Sequence, residues 1–187
     1  MAVTTLDPQT ALIVVDLQKG IVGAQFTHPI ADVIRRTCGL IEAFRRNGLP
    51  VVFVNVAGGA PGRTEQPRRQ PTLSEGWSEL IPELDAKPSD IFVTKRTWGA
   101  FANTDLDVRL KQRGVTQVVI SGVATGTGVE STARQAYEQG FNVTLAIDAM
   151  TDARPEAHAY AIAHVFPRLG ETGTTQDILD LLSKRKS

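Results

Sequence analysis

Cysteine is almost absent from this chain: of 187 residues only Cys38 carries a thiol. No internal disulfide can form, so nothing points to an oxidising compartment. Long apolar runs are missing too. One of the longest, Ala11 to Val15, is far too short to cross a bilayer. The first residues, Met1-Ala2-Val3-Thr4-Thr5, lack the basic start and apolar stretch of a signal peptide, and a cytoplasmic location is expected. No charge excess exists, since Lys+Arg and Asp+Glu each total 20. Nucleic-acid binding needs surplus Lys and Arg to displace counterions. Neither a nucleic acid nor a membrane is therefore expected as a partner.

Several catalytic signatures are also lacking. The sequence contains no G-x-S-x-G, no H-E-x-x-H and no G-K-[ST]. There are three histidines. His158 and His164 fall on different faces of a helix and His28 is remote, so no metal site is expected. Cys38 lies on the apolar stripe of a helix, which reads as a buried structural thiol. No cofactor is expected either.

What is present is a regular alternation. Short β-rich runs at 11–15, 51–54, 91–94, 118–120 and 143–147 are separated by helix-length segments. Pro29 opens a stretch with Ile30, Val33, Ile34, Cys38, Ile41 and Phe44 at spacings of three and four, and Gly48 closes it. Asn103 is the expected N-cap of a helix ending at Gly114. Further helices are expected over 130–139, from about Pro155 and from about Thr175. Residues 57–76 read as a long loop whose Arg63, Arg68 and Arg69 either meet a carboxylate or, the favoured reading, only serve solubility. Strands joined by helical crossovers imply a single-domain α/β fold over residues 1–187, a parallel sheet flanked by helices on both faces.

In such sheets ligands bind beyond the carboxyl ends of the strands. Three segments sit there: Asp16-Leu-Gln18, Lys95-Arg-Thr-Trp98 and Gly122-Val-Ala-Thr-Gly-Thr-Gly128. Asp16 follows five apolar residues, so its carboxylate is partly desolvated. Lys95 occupies the matching position on another strand and offers an ammonium. Together they form a candidate acid/base pair. Read alone, they leave open a turn cap and an ordinary ion pair. The 122–128 loop runs from strand into helix, where backbone N–H groups converge on an anion. Its order, G-x-x-x-G-x-G, is not the dinucleotide fingerprint. Trp98 and Phe101 either wall a pocket or pack, and Trp77 is similarly open.

Taken jointly, these segments resemble the isochorismatase-like (cysteine hydrolase) superfamily. The matching stretches are Ala11-Leu-Ile-Val-Val-Asp-Leu-Gln18, Lys95-Arg-Thr-Trp-Gly-Ala-Phe101 with Thr104-Asp-Leu-Asp107, and Gly122 through Arg134. The tail Phe166-Pro-Arg-Leu-Gly-Glu171 is similar as well. The resemblance implies a Rossmann-like three-layer fold, a homo-oligomer (dimer or larger) and a small-molecule substrate. It also implies a non-proline cis peptide at Val123–Ala124. Amidase members of that superfamily use an Asp-Lys-Cys triad, which maps onto Asp16, Lys95 and Gly128. Glycine supplies no nucleophile. True isochorismatases also have glycine there and are held to protonate a vinyl ether from the aspartic acid before water attacks. Their Tyr-Ala-His segment is replaced here by Ala124-Thr125-Gly126. The metal-binding histidine of nicotinamidases is absent where strand two leads into Asn55-Val-Ala57.

The expected function is hydrolysis of a small molecule without a covalent thiol intermediate, with a vinyl ether such as isochorismate as the substrate. Asp16, Lys95 and Gly128 form the expected catalytic set. Gln18, Asn55, Trp98, Phe101, Val123, Ala124 and Thr125 are the expected substrate contacts. Two alternatives remain at this level: a thiol-independent amide or C–N hydrolase, and a catalytically silent member that binds a metabolite or serves as an oligomeric partner.

Overall fold

Residue alternation along six strands decides the layering of this molecule. The computed structural model describes residues 3–65 and 74–185. The strands are β1 (Thr10–Val15), β2 (Val51–Val56), β3 (Ile91–Lys95), β4 (Gln117–Val123), β5 (Asn142–Thr151) and β6 (Glu171–Gly173). All pair in parallel in the order β3-β2-β1-β4-β5-β6. The helices are α1 (Lys19–Val22), α2 (Ile30–Arg46), α3 (Leu106–Lys111), α4 (Glu130–Glu138), α5 (Pro155–Tyr160) and α6 (Thr175–Ser183).

Leu12, Val14, Val51, Phe53 and Val119 pack on one side with Leu40, Ile41 and Phe44 of α2 and Ile178 and Leu182 of α6. Ala11, Ile13, Val15, Val52 and Ile120 pack on the other with Leu106 and Leu110 of α3 and Ala133 and Ala136 of α4. Successive side chains of a strand point to opposite faces, so a run of apolar residues feeds both cores. Every residue of β1 is buried for that reason. β3, at the sheet edge, instead alternates buried and exposed positions.

α2 ends as the sequence predicts, with Gly48 at φ 66°, a left-handed position that glycine takes without a Cβ clash. α6 begins with a capping box in which Thr174 and Asp177 bond each other's backbone N–H.

Four expectations are corrected. Asn103 does not cap α3; it stands in a turn at φ 58°, and Asp105 takes the cap position. Asparagine tolerates the left-handed region, so the same side chain suits a turn as readily as a cap. The fifth strand runs on to Thr151, past a register shift against β4. A sixth strand, three residues long, follows the 3₁₀ turn at Phe166–Arg168. Cys38 is only half-buried, and its thiol donates to the carbonyl of Glu83 at 3.2 Å. Of the loop arginines, Arg63 is exposed, while Arg68 and Arg69 lie outside the described residues. Among the described residues no helix is long and apolar enough to cross a membrane.

Candidate active site

β1 lies between β2 and β4, where the strand order reverses, so the crevice beyond its carboxyl end is the natural ligand site. Asp16 is the first residue past β1. Its N–H still donates to the carbonyl of Val54 at 2.8 Å, but its φ of 53° turns the chain out of the strand. Aspartate enters this region more readily than most side chains.

Lys95 closes β3, two strands away, or about 10 Å at the usual strand spacing. Its long stem crosses beyond the end of β2. Its Nζ donates to Oδ2 of Asp16 at 2.7 Å and to the carbonyl of Trp98 at 2.6 Å. Both side chains are buried, Lys95 at 1% and Asp16 at 5% exposure. Oδ1 of Asp16 is buried and has no hydrogen-bond partner among the described residues. Burial pushes the Asp16 carboxyl up from 3.8 to about 6, against the downward pull of the Lys95 ammonium and its hydrogen bond. Desolvation wins because one ion pair does not replace a hydration shell.

The third element follows β4. Gly122, at φ 109°, packs its α-carbon so tightly on β1 that a Cβ would lie 2.1 Å from the carbonyl oxygen of Val15. The Val123–Ala124 peptide is cis, as the resemblance implies. Residues 125–129 then form a widened π-type turn leading into α4. A Cβ on Gly128 would stand 3.1 Å from Oδ2 of Asp16, 3.0 Å from the carbonyl oxygen of Val123 and 3.1 Å from Cγ1 of Val15. Gly128 thus closes directly over the Asp16 carboxylate.

Asp152, which the sequence reading passed over, and His158, which it weighed only as a metal ligand, hold this turn. Oδ2 of Asp152, just past β5, accepts from the N–H of Gly126 at 2.8 Å. Thr125 Oγ1 meets His158 Nδ1 at 2.8 Å. Burial and the neighbouring His28 push the His158 imidazole below its ordinary value, opposed by Asp152. His28, read as remote, is in fact packed against His158 with ring centroids 4.6 Å apart. Sheet topology brings them together, because the segment before α2 crosses the end of β5, where the His28 N–H donates to Thr151 Oγ1 at 3.1 Å. The signal for Asp152 was its place immediately after an apolar strand, the same signal that singled out Asp16. Among the described residues no group of three or more His, Cys, Asp or Glu is arranged to hold a metal.

The remaining expected contacts fall in unequal places. The Gln18 side chain is fully buried and spent on backbone: its amide donates to Val56 and Trp77 carbonyls, and its oxygen accepts from the Val56 N–H. Asn55 donates to the Ser78 carbonyl at 2.7 Å. Trp77 packs across Gly20, leaving no room there for a Cβ. Phe101 is in the core, tilted against Phe141, and the Trp98 side chain is 69% exposed. Val123 and Thr125 are buried and Ala124 is half-buried.

The Asp16–Lys95 pair thus lies at the switch point of an open parallel sheet, where α/β proteins bind their ligands. The model of the Isochorismatase domain matches residues 10–177, and the chain belongs to the isochorismatase family. It is similar to the uncharacterized isochorismatase family protein YecD of Escherichia coli O157:H7, with 41% identity covering 92% of this chain and 96% of that one. It also resembles the ureidoacrylate amidohydrolase RutB of Variovorax paradoxus, with 34% identity over 75% of this chain and 68% of that one. An isochorismatase family protein from Burkholderia thailandensis superimposes with a TM-score of 0.92 at 41% identity, covering 96% and 98% of the two chains. The chain is a hydrolase of that family.

Proposed function

We propose that this hydrolase cleaves a small-molecule vinyl ether of the isochorismate type, with Asp16 as general acid and no covalent thiol intermediate. The observation that carries the proposal is the unequal state of the two Asp16 oxygens. Oδ2 is taken by Lys95, whereas Oδ1 is buried without a partner among the described residues. A carboxyl titrating at about 6 keeps a usable fraction of its protons near neutrality. That proton passes to the terminal vinyl carbon and leaves an oxocarbenium ion. Water adds to the cationic carbon and returns a proton to Asp16. The resulting hemiketal then collapses to an alcohol and a ketone. Lys95 fixes the carboxyl and limits the rise in its pKa. The backbone N–H groups of Ala124 and Gly128 hold a substrate oxygen, and Gly128 supplies no nucleophile of its own beside Asp16. The exposed Trp98 and the Val123–Thr125 segment contact the substrate, while Gln18 and Asn55 act only through the backbone they bind.

A second reading is a thiol-independent amide or C–N hydrolase, favoured by the likeness to ureidoacrylate amidohydrolases. There Asp16 works as its base form on the attacking water. Product analysis separates the two. Isochorismate cleavage releases pyruvate, and amide cleavage releases ammonia or an amine. Pyruvate release that disappears in Asp16→Asn supports the first reading. Ammonia release with no pyruvate overturns it in favour of the second, and turnover of neither class by the intact protein identifies a silent, metabolite-binding member.

A further inference from the structure

The loop that follows Lys95 has little regular backbone bonding of its own, yet its Trp98 carbonyl holds the buried lysine ammonium at 2.6 Å. Its anchor is one face of α4. Three consecutive N–H groups point at that helix. Ala100 donates to Thr132 Oγ1 at 3.1 Å, and Phe101 and Ala102 share Gln135 Oε1 at 2.9 and 3.2 Å. The Thr132 hydroxyl then donates its own proton to the carbonyl of Gly128 at 2.7 Å. One hydroxyl therefore ties the turn that closes over Asp16 to the loop that holds Lys95. Gly99 makes the approach possible, since a Cβ there would come within 2.3 Å of the Gln135 amide.

We infer that Thr132 and Gln135 are positioning residues for the Asp16–Lys95 pair, fixing the Trp98 carbonyl and with it the lysine ammonium against Oδ2 of Asp16. The inference builds on the proposal that this pair is catalytic. Buried N–H groups must find acceptors, and these three find them on the helix that begins at the Gly128 turn. Residues 128, 132 and 135 are spaced by four and three, one stripe of a helix. A purely structural clasp would keep the loop folded. A positioning clasp also sets how strongly the lysine acts on the carboxyl. Among the described residues Lys95 is the charged side chain that acts on the Asp16 titration, so that titration reads its placement.

The test follows the Asp16 side-chain carboxyl carbon by NMR in protein labelled with carbon-13 aspartate, assigned with Asp16→Asn. Thr132→Val keeps shape and deletes the hydroxyl, Gln135→Met deletes the shared acceptor at a half-buried position, and Thr132→Ser keeps the hydroxyl. The expected result is an upward shift of the Asp16 midpoint by about half a unit or more in Thr132→Val and Gln135→Met, because the ammonium that lowers it is displaced. Thr132→Ser titrates like the parent. A folded Thr132→Val or Gln135→Met with the parental midpoint overturns the inference, as does a Thr132→Ser shift equal to that of valine. Should Thr132→Val fail to fold, Gln135→Met decides alone. The titration needs no substrate, so its outcome is separate from whether the protein releases pyruvate or ammonia.

Discussion

The ammonium of Lys95 reaches Oδ2 of Asp16 at 2.7 Å from two strands away and leaves Oδ1 of the same carboxyl without a partner among the described residues. An ion pair built for stability would satisfy both oxygens, because a buried, unpaired carboxylate oxygen costs about 1–3 kcal/mol. The unpaired Oδ1 is the feature on which the proposed acid role rests. Burial of the pair raises the carboxyl to about 6, so the protonation state of Asp16 changes within the range where most enzymes operate.

The first prediction concerns the sign of the pH dependence. The Asp16 pKa is raised, so its acid form predominates below about 6. With Asp16 as general acid, kcat/KM for a vinyl ether stays level below about pH 6 and falls about tenfold per unit above it. A general base gives the mirror image, a rise through the same region. A pH–rate profile on a verified substrate distinguishes them, and a rising limb rules out the acid role.

Replacing Lys95 by methionine removes the charge and the hydrogen bond that lower the Asp16 pKa. The falling limb of the profile therefore moves to higher pH, by about one unit or more. Asp16→Asn has no proton to give and loses about 10²- to 10⁴-fold in kcat. Asparagine still accepts from the Lys95 ammonium, so its thermal melt remains cooperative. A Lys95→Met limb that stays in place, or moves down, contradicts this account of the pair.

Gly128→Cys probes whether the site lacks only a thiol. The new Cβ is crowded at 3.0–3.1 Å by Val123, Val15 and Asp16, an overpacking cost of about 1–3 kcal/mol. The folded variant is expected to gain amidase activity that iodoacetamide abolishes. The assay belongs in a Cys38→Ser background, although burial and neighbouring Glu42 and Glu83 push the Cys38 thiol up and slow its alkylation. A folded variant with an alkylatable thiol and no amidase activity shows that more than the nucleophile differs.

Two glycines separate geometry from propensity. Gly122→Ala forces a Cβ to 2.1 Å from the Val15 carbonyl at φ 109° and destabilises the protein by about 3 kcal/mol or more in urea unfolding. Gly39 lies within α2 with open space where its Cβ would be, so Gly39→Ala stabilises by about 0.5–1 kcal/mol. Equal effects at the two positions refute the close-approach argument for Gly122.

Much of the fold was legible in the chain itself. Apolar runs of strand length separated by amphipathic helices specify a parallel sheet with two covered faces, because each strand needs a core on both sides. The ends of those strands marked Asp16, Lys95 and the 122–128 turn, since open sheets place ligands there. Local signals failed where one residue type suits two conformations, as at Asn103, or where a strand is only three residues long, as at Glu171–Gly173.

The tertiary structure alone decided how those ends work together. No spacing in the sequence says that Lys95 spans two strands to Oδ2 of Asp16, that Oδ1 finds no partner among the described residues, or that Gly128 closes over the same carboxyl. Nor could it show Thr132 joining the Gly128 carbonyl to the lysine loop, or His28 packing on His158. The physical reason is one of range. Periodicity and turn chemistry act over a few residues, while desolvation and ion pairing depend on which distant segments the crossovers bring within a few ångströms.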